Sequence, residues 1–289
     1  MPVGPYGALL DAVRGVRWPA RRPVTGGAPG AHPARTRGAA PEFAEYRPYR
    51  QGDDPKRLDW KLLARSDRAF IRLAPDQAIL GTSFVVDASA SMAFPLLTAG
   101  KWEQAKRLVV ALAAVAHTSA DPVGLMIARP NGALRLEPRT RRGVVGEIAR
   151  SLDRTRPAGT ALLAPLIAGS AARCVVLTDC LGDFDALRAA LARHVARGGE
   201  AHLIHLVARA ELVPARAAAL ATDPEDPTVR RPLVDATRDG YRERFDAFRH
   251  EVAQVLRADG VQVHEVHDDE APEVIIRRLV RPSGRDGRS

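Results

Sequence analysis

Five short apolar runs, separated by segments of helical period, constrain this chain more than any other feature. They are "TSFVVD" (82–87), "VGLMIA" (123–128), "CVVLTD" (174–179), "AHLIHLVA" (201–208) and "VQVHEV" (261–266). A strand that is apolar at nearly every position has both faces buried, as happens when helices cover a sheet on two sides. Helical period appears at 101–117, where Trp102, Ala105, Val109, Leu112, Ala113 and Ala116 form one stripe, and again at 141–152, 161–169, 184–197 and 270–279. A further helix, ending before Gly260, carries Tyr241, Phe245, Phe248, Val252 and Leu256 on one face. "GALRLEP" (132–138) follows the turn Pro130-Asn131-Gly132 and reads as an antiparallel hairpin partner of 123–128. The expected fold is α/β: a doubly wound, mostly parallel sheet with helices on both faces and one antiparallel edge strand.

The N-terminal quarter has a different character. Residues 1–41, rich in Gly, Pro, Ala and Arg, read as a basic, loosely ordered arm, with Leu9, Leu10, Val13 and Val16 as a short amphipathic start suited to docking on the body. Residues 42–78 form a Tyr/Arg/Asp-Trp segment expected to pack on the body, 79–280 the main domain and 281–289 a tail. Most of the formal charge of +9 falls in the first 75 residues. The arm lacks interleaved aromatics, so no specific nucleic-acid binding is expected. The longest apolar stretch, 108–116, falls short of the roughly 18 residues a membrane helix needs. No signal peptide is read at the N-terminus; a cytoplasmic location is expected, with peripheral membrane association left open. Cys174 and Cys180 are too few for a disulfide scaffold or a zinc site.

Where the first apolar run stops, polar residues alternate: Asp87-Ala-Ser89-Ala-Ser91. A haloacid dehalogenase-type nucleophile would want a second Asp where Ser89 stands, and a downstream Lys that is absent after Lys106. A serine-hydrolase elbow would want glycines where alanines flank the serine. A phosphate loop would want a Gly-rich run before its Lys-Ser/Thr. The fourth reading is a metal site. One carboxylate and two hydroxyls form a hard, oxygen-only set suited to Mg²⁺ or Mn²⁺. More oxygens are available from Thr160, in a Gly-containing loop, and from Asp179, at the end of "CVVLTD". In a doubly wound sheet these ends meet at the point where strand order reverses.

The set Asp87, Ser89, Ser91, Thr160 and Asp179 resembles the metal-ion-dependent adhesion site of von Willebrand factor type A domains. The resemblance implies a von Willebrand type A-like fold with these five residues around an ion. Cys180 departs from the glycine often found after the last Asp; it either packs beside the loop or is a mildly accessible thiol. Asp183 is either a helper of the ion or the cap of the helix starting near Phe184. His117, His202 and His205 are expected to be structural.

A second resemblance covers roughly residues 40–270. Glu45, Tyr46, Tyr49, Gly52-Asp53-Asp54, Arg57, Asp59-Trp60, Ala64-Arg65, Arg72 and "TDPEDP" (222–227) resemble the bacterial family catalogued as domain of unknown function 58. The family resemblance implies a MoxR-type AAA+ ATPase and other von Willebrand type A proteins as partners, in a chaperone-like system that matures or activates protein complexes. Residues 42–72 read chiefly as structural, with Trp60 as a packing anchor; Arg57, Asp59, Trp60 and Arg65 are the candidate partner surface. The expected function is therefore a non-catalytic, metal-dependent protein-binding module that takes an acidic side chain of its partner at the ion. The alternative is a metal-dependent phosphoester hydrolase, which would need a second metal or a positioned base near Asp87.

Overall fold

The computed structural model describes residues 4–20, 29–33, 45–49, 58–66, 68–73, 77–214, 220–222, 228, 230–232 and 235–281. They divide into two units, one made of residues 1–18 with 81–289 and the other of residues 19–80. The large unit begins with helix α1 (Gly7–Ala12). In the small unit, β1 (Pro29–Pro33) pairs antiparallel with β4 (Gln77–Ala78), and β2 (Glu45–Pro48) with β3 (Phe70–Leu73). Its helix α2 (Trp60–Ser66) is started by Asp59, whose Oδ1 accepts from Leu62 N at 3.0 Å. The indole of Trp60 is 65% exposed, so it is not the packing anchor expected from sequence.

The large unit is built on six strands: β5 (Thr82–Asp87), β6 (Val123–Arg129), β7 (Gly132–Arg139), β8 (Arg173–Thr178), β9 (Glu200–Val207) and, after a short antiparallel pair of β10 (Leu220–Thr222) with β11 (Arg230–Pro232), β12 (Gln262–His267). Their order is β12-β9-β8-β5-β6-β7, all parallel except β7, which runs antiparallel along the edge beside β6. This is the doubly wound, mostly parallel sheet with an antiparallel edge strand that the apolar runs predict. The chain leaves β5 toward β6 and β7, then returns to place β8 on the other side of β5. Strand order therefore reverses between β5 and β8, and a ligand crevice is expected there.

Side chains alternate across the sheet. Phe84, Val86, Ile127, Leu177 and Leu206 face one core, while Val85, Met126, Val176 and Leu203 face the other. Helices α3 (Gly100–Thr118), α4 (Val144–Asp153) and α9 (Pro272–Val280) contribute to the first core; α5 (Ala164–Ile167), α6 (Phe184–Ala196) and α8 (Asp235–Ala258) to the second. The remaining helix, α7 (Arg209–Leu212), follows β9 directly. The stripe expected on α3 is buried, and so are Leu108, Val110, Ala111 and Val115, because α3 is covered from outside as well as by the sheet. The helix expected at 161–169 is shorter, Ala164–Ile167, and the stretch before it is loop.

Part of the outer cover is the N-terminal segment. Leu9, Leu10 and Val16 pack against the first core, and Tyr6, Val13 and Trp18 are buried in it. Read from sequence as the start of a loosely ordered arm with a stripe suited to docking, this segment packs on the large unit, to which residues up to Trp18 belong. The anchor is at the strands' N-terminal end. Fully buried Arg173 donates to Glu200 Oε1 at 3.1 Å, stacks over the Trp18 ring at 4.2 Å and donates to the Trp18 carbonyl at 3.4 Å. Trp18→Ala keeps that carbonyl and removes the stacked ring. The substitution is expected to cost about 3–5 kcal/mol in urea denaturation and to speed proteolysis of residues 4–18. A loss below about 1 kcal/mol would show that the segment lies outside the cooperative unit.

Candidate functional site

The apolar run of β5 ends where the strand runs out of sheet. Val86 still pairs with Leu177 on β8, but Asp87 has a register partner only on β6. Its carboxylate turns back on its own chain: Oδ1 accepts from Ser89 N at 2.8 Å. Oδ2 accepts from the Thr178 hydroxyl at 2.7 Å, and Thr178 Oγ1 in turn accepts from Cys180 N at 3.0 Å. These bonds lock the ends of β5 and β8 together across the reversal point. Ser89 is extended, and the chain then enters a 3-10 turn over Ala90–Ala93. That path brings Ser89 Oγ and Ser91 Oγ within 3.1 Å of each other, both buried.

Thr160 arrives by main-chain bonds. Ala90 N donates to the Gly159 carbonyl at 2.8 Å, and Ala158 N to the Ala88 carbonyl at 2.9 Å. The 157–160 loop is thus stitched to the Asp87–Ser91 loop on both sides, and the Thr160 side chain is exposed. Gly159 has φ +53, and a Cβ there would meet Pro130 Cγ at 2.8 Å, so a bulkier residue could not hold this loop in place.

Asp179 lies one residue beyond β8 and is buried. Its Oδ2 accepts from Lys101 Nζ at 2.7 Å, and its Oδ1 from Leu181 N at 3.3 Å. The same Nζ donates to Glu211 Oε1 at 2.8 Å, while Glu211 Oε2 accepts from Ala208 N at 2.7 Å. Burial disfavours the Lys101 ammonium, but the charges of Asp179 and Glu211 outweigh it and hold its pKa above the ordinary lysine value. Lys101 and Glu211 are the residues that sequence reasoning missed. A signal was present: Lys101 is one of four lysines in a chain whose basic residues are otherwise Arg, and it opens a helix whose flanking positions are apolar.

Asp87 differs from Asp179. Burial first, then the charge of Asp179, raises its pKa above the usual carboxylate range; the bonds from Thr178 and Ser89 only partly offset this. Cys180 sits between the two carboxylates at φ +60, the left-handed region where glycine is usual. Its thiol is buried, and burial followed by the two neighbouring charges raises its pKa. It packs beside the loop, so the reading as an accessible thiol is set aside. Asp183 caps α6, accepting from Ala186 N at 3.0 Å.

The donor set fits a hard divalent cation in kind. Asp87, Ser89 and Ser91 present oxygens from one turn. Among the described residues no group of three His, Cys, Asp or Glu stands together, so a hydroxyl-based set is the candidate cation site. Each of the three histidines is held by a hydrogen bond. His205 Nε2 bonds the Asp179 carbonyl at 3.2 Å, and burial lowers its pKa. His202 bonds Glu200 at 2.7 Å near the opposite end of the sheet, and His117 bonds the Thr140 carbonyl at 3.0 Å. Of the expected partner surface in the small unit, Trp60 and Arg65 are exposed and Asp59 is partly buried, while Arg57 and the turn at 52–54 lie outside the described residues, as does 223–227 of the acidic signature.

Comparison with known proteins identifies a family. Residues 45–254 match the profile of a family described as protein of unknown function DUF58. The chain is 27% identical over 283 residues to uncharacterized proteins of Mycobacterium bovis and Mycobacterium tuberculosis, covering 90% of this chain and 85% of theirs. Among solved structures it is similar to BatB from Bacteroides thetaiotaomicron, at TM-score 0.47 and 16% identity over 70% of this chain and 97% of that one. It is also similar to an aerotolerance-related membrane protein from Bacteroides fragilis, at TM-score 0.46 and 18% identity over 70% and 98%.

Two substitutions separate the roles of the acids. The raised pKa of Asp87 means that the metal-free protein loses stability as pH rises from the ordinary carboxylate range through the folded value. Asp87→Asn removes that charge, so a Tm higher by a few degrees at neutral pH and a flatter pH profile are expected without metal; a lower Tm would contradict the assignment. Lys101→Met leaves Asp179 and Glu211 buried without their cation, and a loss of about 3–5 kcal/mol is expected in urea denaturation. Unchanged stability would show that the ammonium is dispensable.

Proposed function

Because the chain belongs to the DUF58 family of proteins of unknown function, we propose its role from the strand-end site: a non-catalytic, Mg²⁺- or Mn²⁺-dependent protein-binding module of von Willebrand type A-like design. The observation that carries this reading is the turn that gathers Asp87, Ser89 and Ser91 at the strand-order reversal, with the Thr160 loop bonded to it. Asp87, Ser89 and Ser91 would hold the ion, with Thr160 and Asp179 completing its surroundings. The ion supplies an open coordination position for a carboxylate oxygen.

The neutral ligands favour a binding role. Lys101 holds both Asp179 and Glu211 with one ammonium, so that trio carries a single net negative charge. The hydroxyls contribute none. Asp87 is bonded only by neutral groups and by itself does not neutralise a divalent ion. A partner's Asp or Glu side chain is the natural complement. Support for a MoxR-type AAA+ ATPase as that partner comes from the family resemblance carried by Glu45, Tyr46, Asp59-Trp60 and Arg65.

The test uses the purified chain and a purified MoxR-type ATPase from the same organism. Mg²⁺ should raise the Tm of the wild type and leave Asp87→Asn unmoved. Binding to the ATPase, followed by surface plasmon resonance, should fall at least about tenfold in EDTA or with Asp87→Asn. Equal binding with and without chelator would sink the proposal. Turnover of phosphoesters lost in Asp87→Asn would instead support hydrolysis.

A further inference from the structure

The three loops that carry the candidate ligands also carry half of the large apolar side chains that the described residues leave in solvent. Leu96 and Leu97, 78% and 101% exposed, lie between Ser91 and the start of α3. Leu162, 70% exposed, follows Thr160 by two residues, and Leu181, 47% exposed, follows Asp179 by two. Leu162 lines a crevice with Asp87, Leu163, Cys180, Phe184 and Leu187. The Leu181 backbone N–H is fixed on Asp179 Oδ1. A cluster of apolar side chains on neighbouring loops, set around a polar centre, marks a contact surface.

The charges on these loops select the kind of partner. The stretch from Ala88 to Ala99 has no charged residue. The next loop carries Arg154 and Arg156, both exposed and without a carboxylate partner among the described residues. Asp183, on the third loop, caps α6 through Oδ1 and is the carboxylate beside Asp87 in the crevice lining, so the positive charge of this rim lies on the Arg154–Arg156 loop. An acidic group flanked by apolar ones complements such a rim, and a positive ion at Asp87 adds to the match.

We propose that the site receives a segment of a protein partner in which one Asp or Glu is flanked by aliphatic or aromatic residues. The carboxylate goes to the ion held at Asp87, Ser89 and Ser91. The apolar neighbours settle on the exposed Leu96, Leu97 and Leu181 and in the crevice that Leu162 lines. The inference rests on the metal-dependent reading above and adds what surrounds the carboxylate.

The test uses short fluorescein-labelled peptides centred on Leu-Asp-Leu, Ser-Asp-Ser or Leu-Asn-Leu, read by anisotropy in millimolar Mg²⁺ and in EDTA. The Leu-Asp-Leu peptide should bind about tenfold tighter than Ser-Asp-Ser in Mg²⁺. Leu162→Ser combined with Leu181→Ser should erase that advantage while leaving the Mg²⁺-induced rise in Tm unchanged. A wild type whose Tm ignores Mg²⁺ would remove the metal reading, and this inference with it. A normal Mg²⁺ response with no preference for Leu-Asp-Leu, or with no peptide bound, overturns only the inference. So does equal binding of Leu-Asn-Leu, or binding that survives EDTA. Two other occupants have their own readouts. Co-sedimentation with phosphatidylglycerol vesicles that is lost in Leu97→Ser would give the leucines to a membrane. Self-association in the ultracentrifuge that is lost in the same variant would give them to a second copy of the chain.

Discussion

Parallel strands that end together place their first residues past the sheet about 5 Å apart, and three of these residues here are acidic. Asp87 ends β5, and Asp179 and Asp268 follow β8 and β12, while α7, just past β9, adds Glu211. Such a row cannot be buried unless a cation enters it. Lys101 does so from the first turn of α3, reaching Asp179 and Glu211 with one ammonium. The rest of the rim is arranged around that entry. Gly100, where a Cβ would lie 2.3 Å from Asp268 Oδ2, lets the helix start close enough. One turn later, Gln104 Nε2 donates to the carbonyls of His267 and Glu270 and ties the helix to the end of β12. Asp268 itself accepts from Arg209 N at 2.8 Å, fixing the short α7 that carries Glu211.

This arrangement makes the two aspartates at the strand-order reversal unequal. Asp179 shares the Lys101 ammonium with Glu211 inside the protein. Asp87 is bonded by a hydroxyl and an amide, both neutral, and burial makes its ionised form costly. On the proposed metal-dependent reading, Asp87 is the carboxylate that a cation from solvent would meet, and the serines would add oxygens without adding charge.

The sheet was legible because strands apolar on both faces leave few alternatives, and the hairpin signal at Pro130-Asn131-Gly132 marked the single reversed strand. The pairing of β5 with β8 followed from topology, and with it the nearness of Asp87 and Asp179. Lys101 stood out as a rare lysine, but its partnership with Asp179 and Glu211 was not legible, because it runs through three elements far apart in sequence and no local spacing encodes it. Trp60 was misread for a related reason: an indole is usually a core anchor, and only placement on the outer side of α2 shows otherwise. The docking of residues 4–18 was half legible. The apolar stripe was visible, but the stacking of Trp18 on Arg173 depends on an arginine buried at the start of a distant strand.

The loop bearing Thr160 is held to its neighbour by carbonyl and amide groups alone, Ala90 to Gly159 and Ala158 to Ala88. Main-chain attachment is indifferent to most side-chain changes. Apart from Gly159, whose conformation and crowding exclude larger residues, the exposed positions on this loop can be exchanged without moving the backbone that fixes it. Arg156 and Leu162 are among them. Exchange at these positions would alter the rim while the turn carrying Asp87, Ser89 and Ser91 stays as it is.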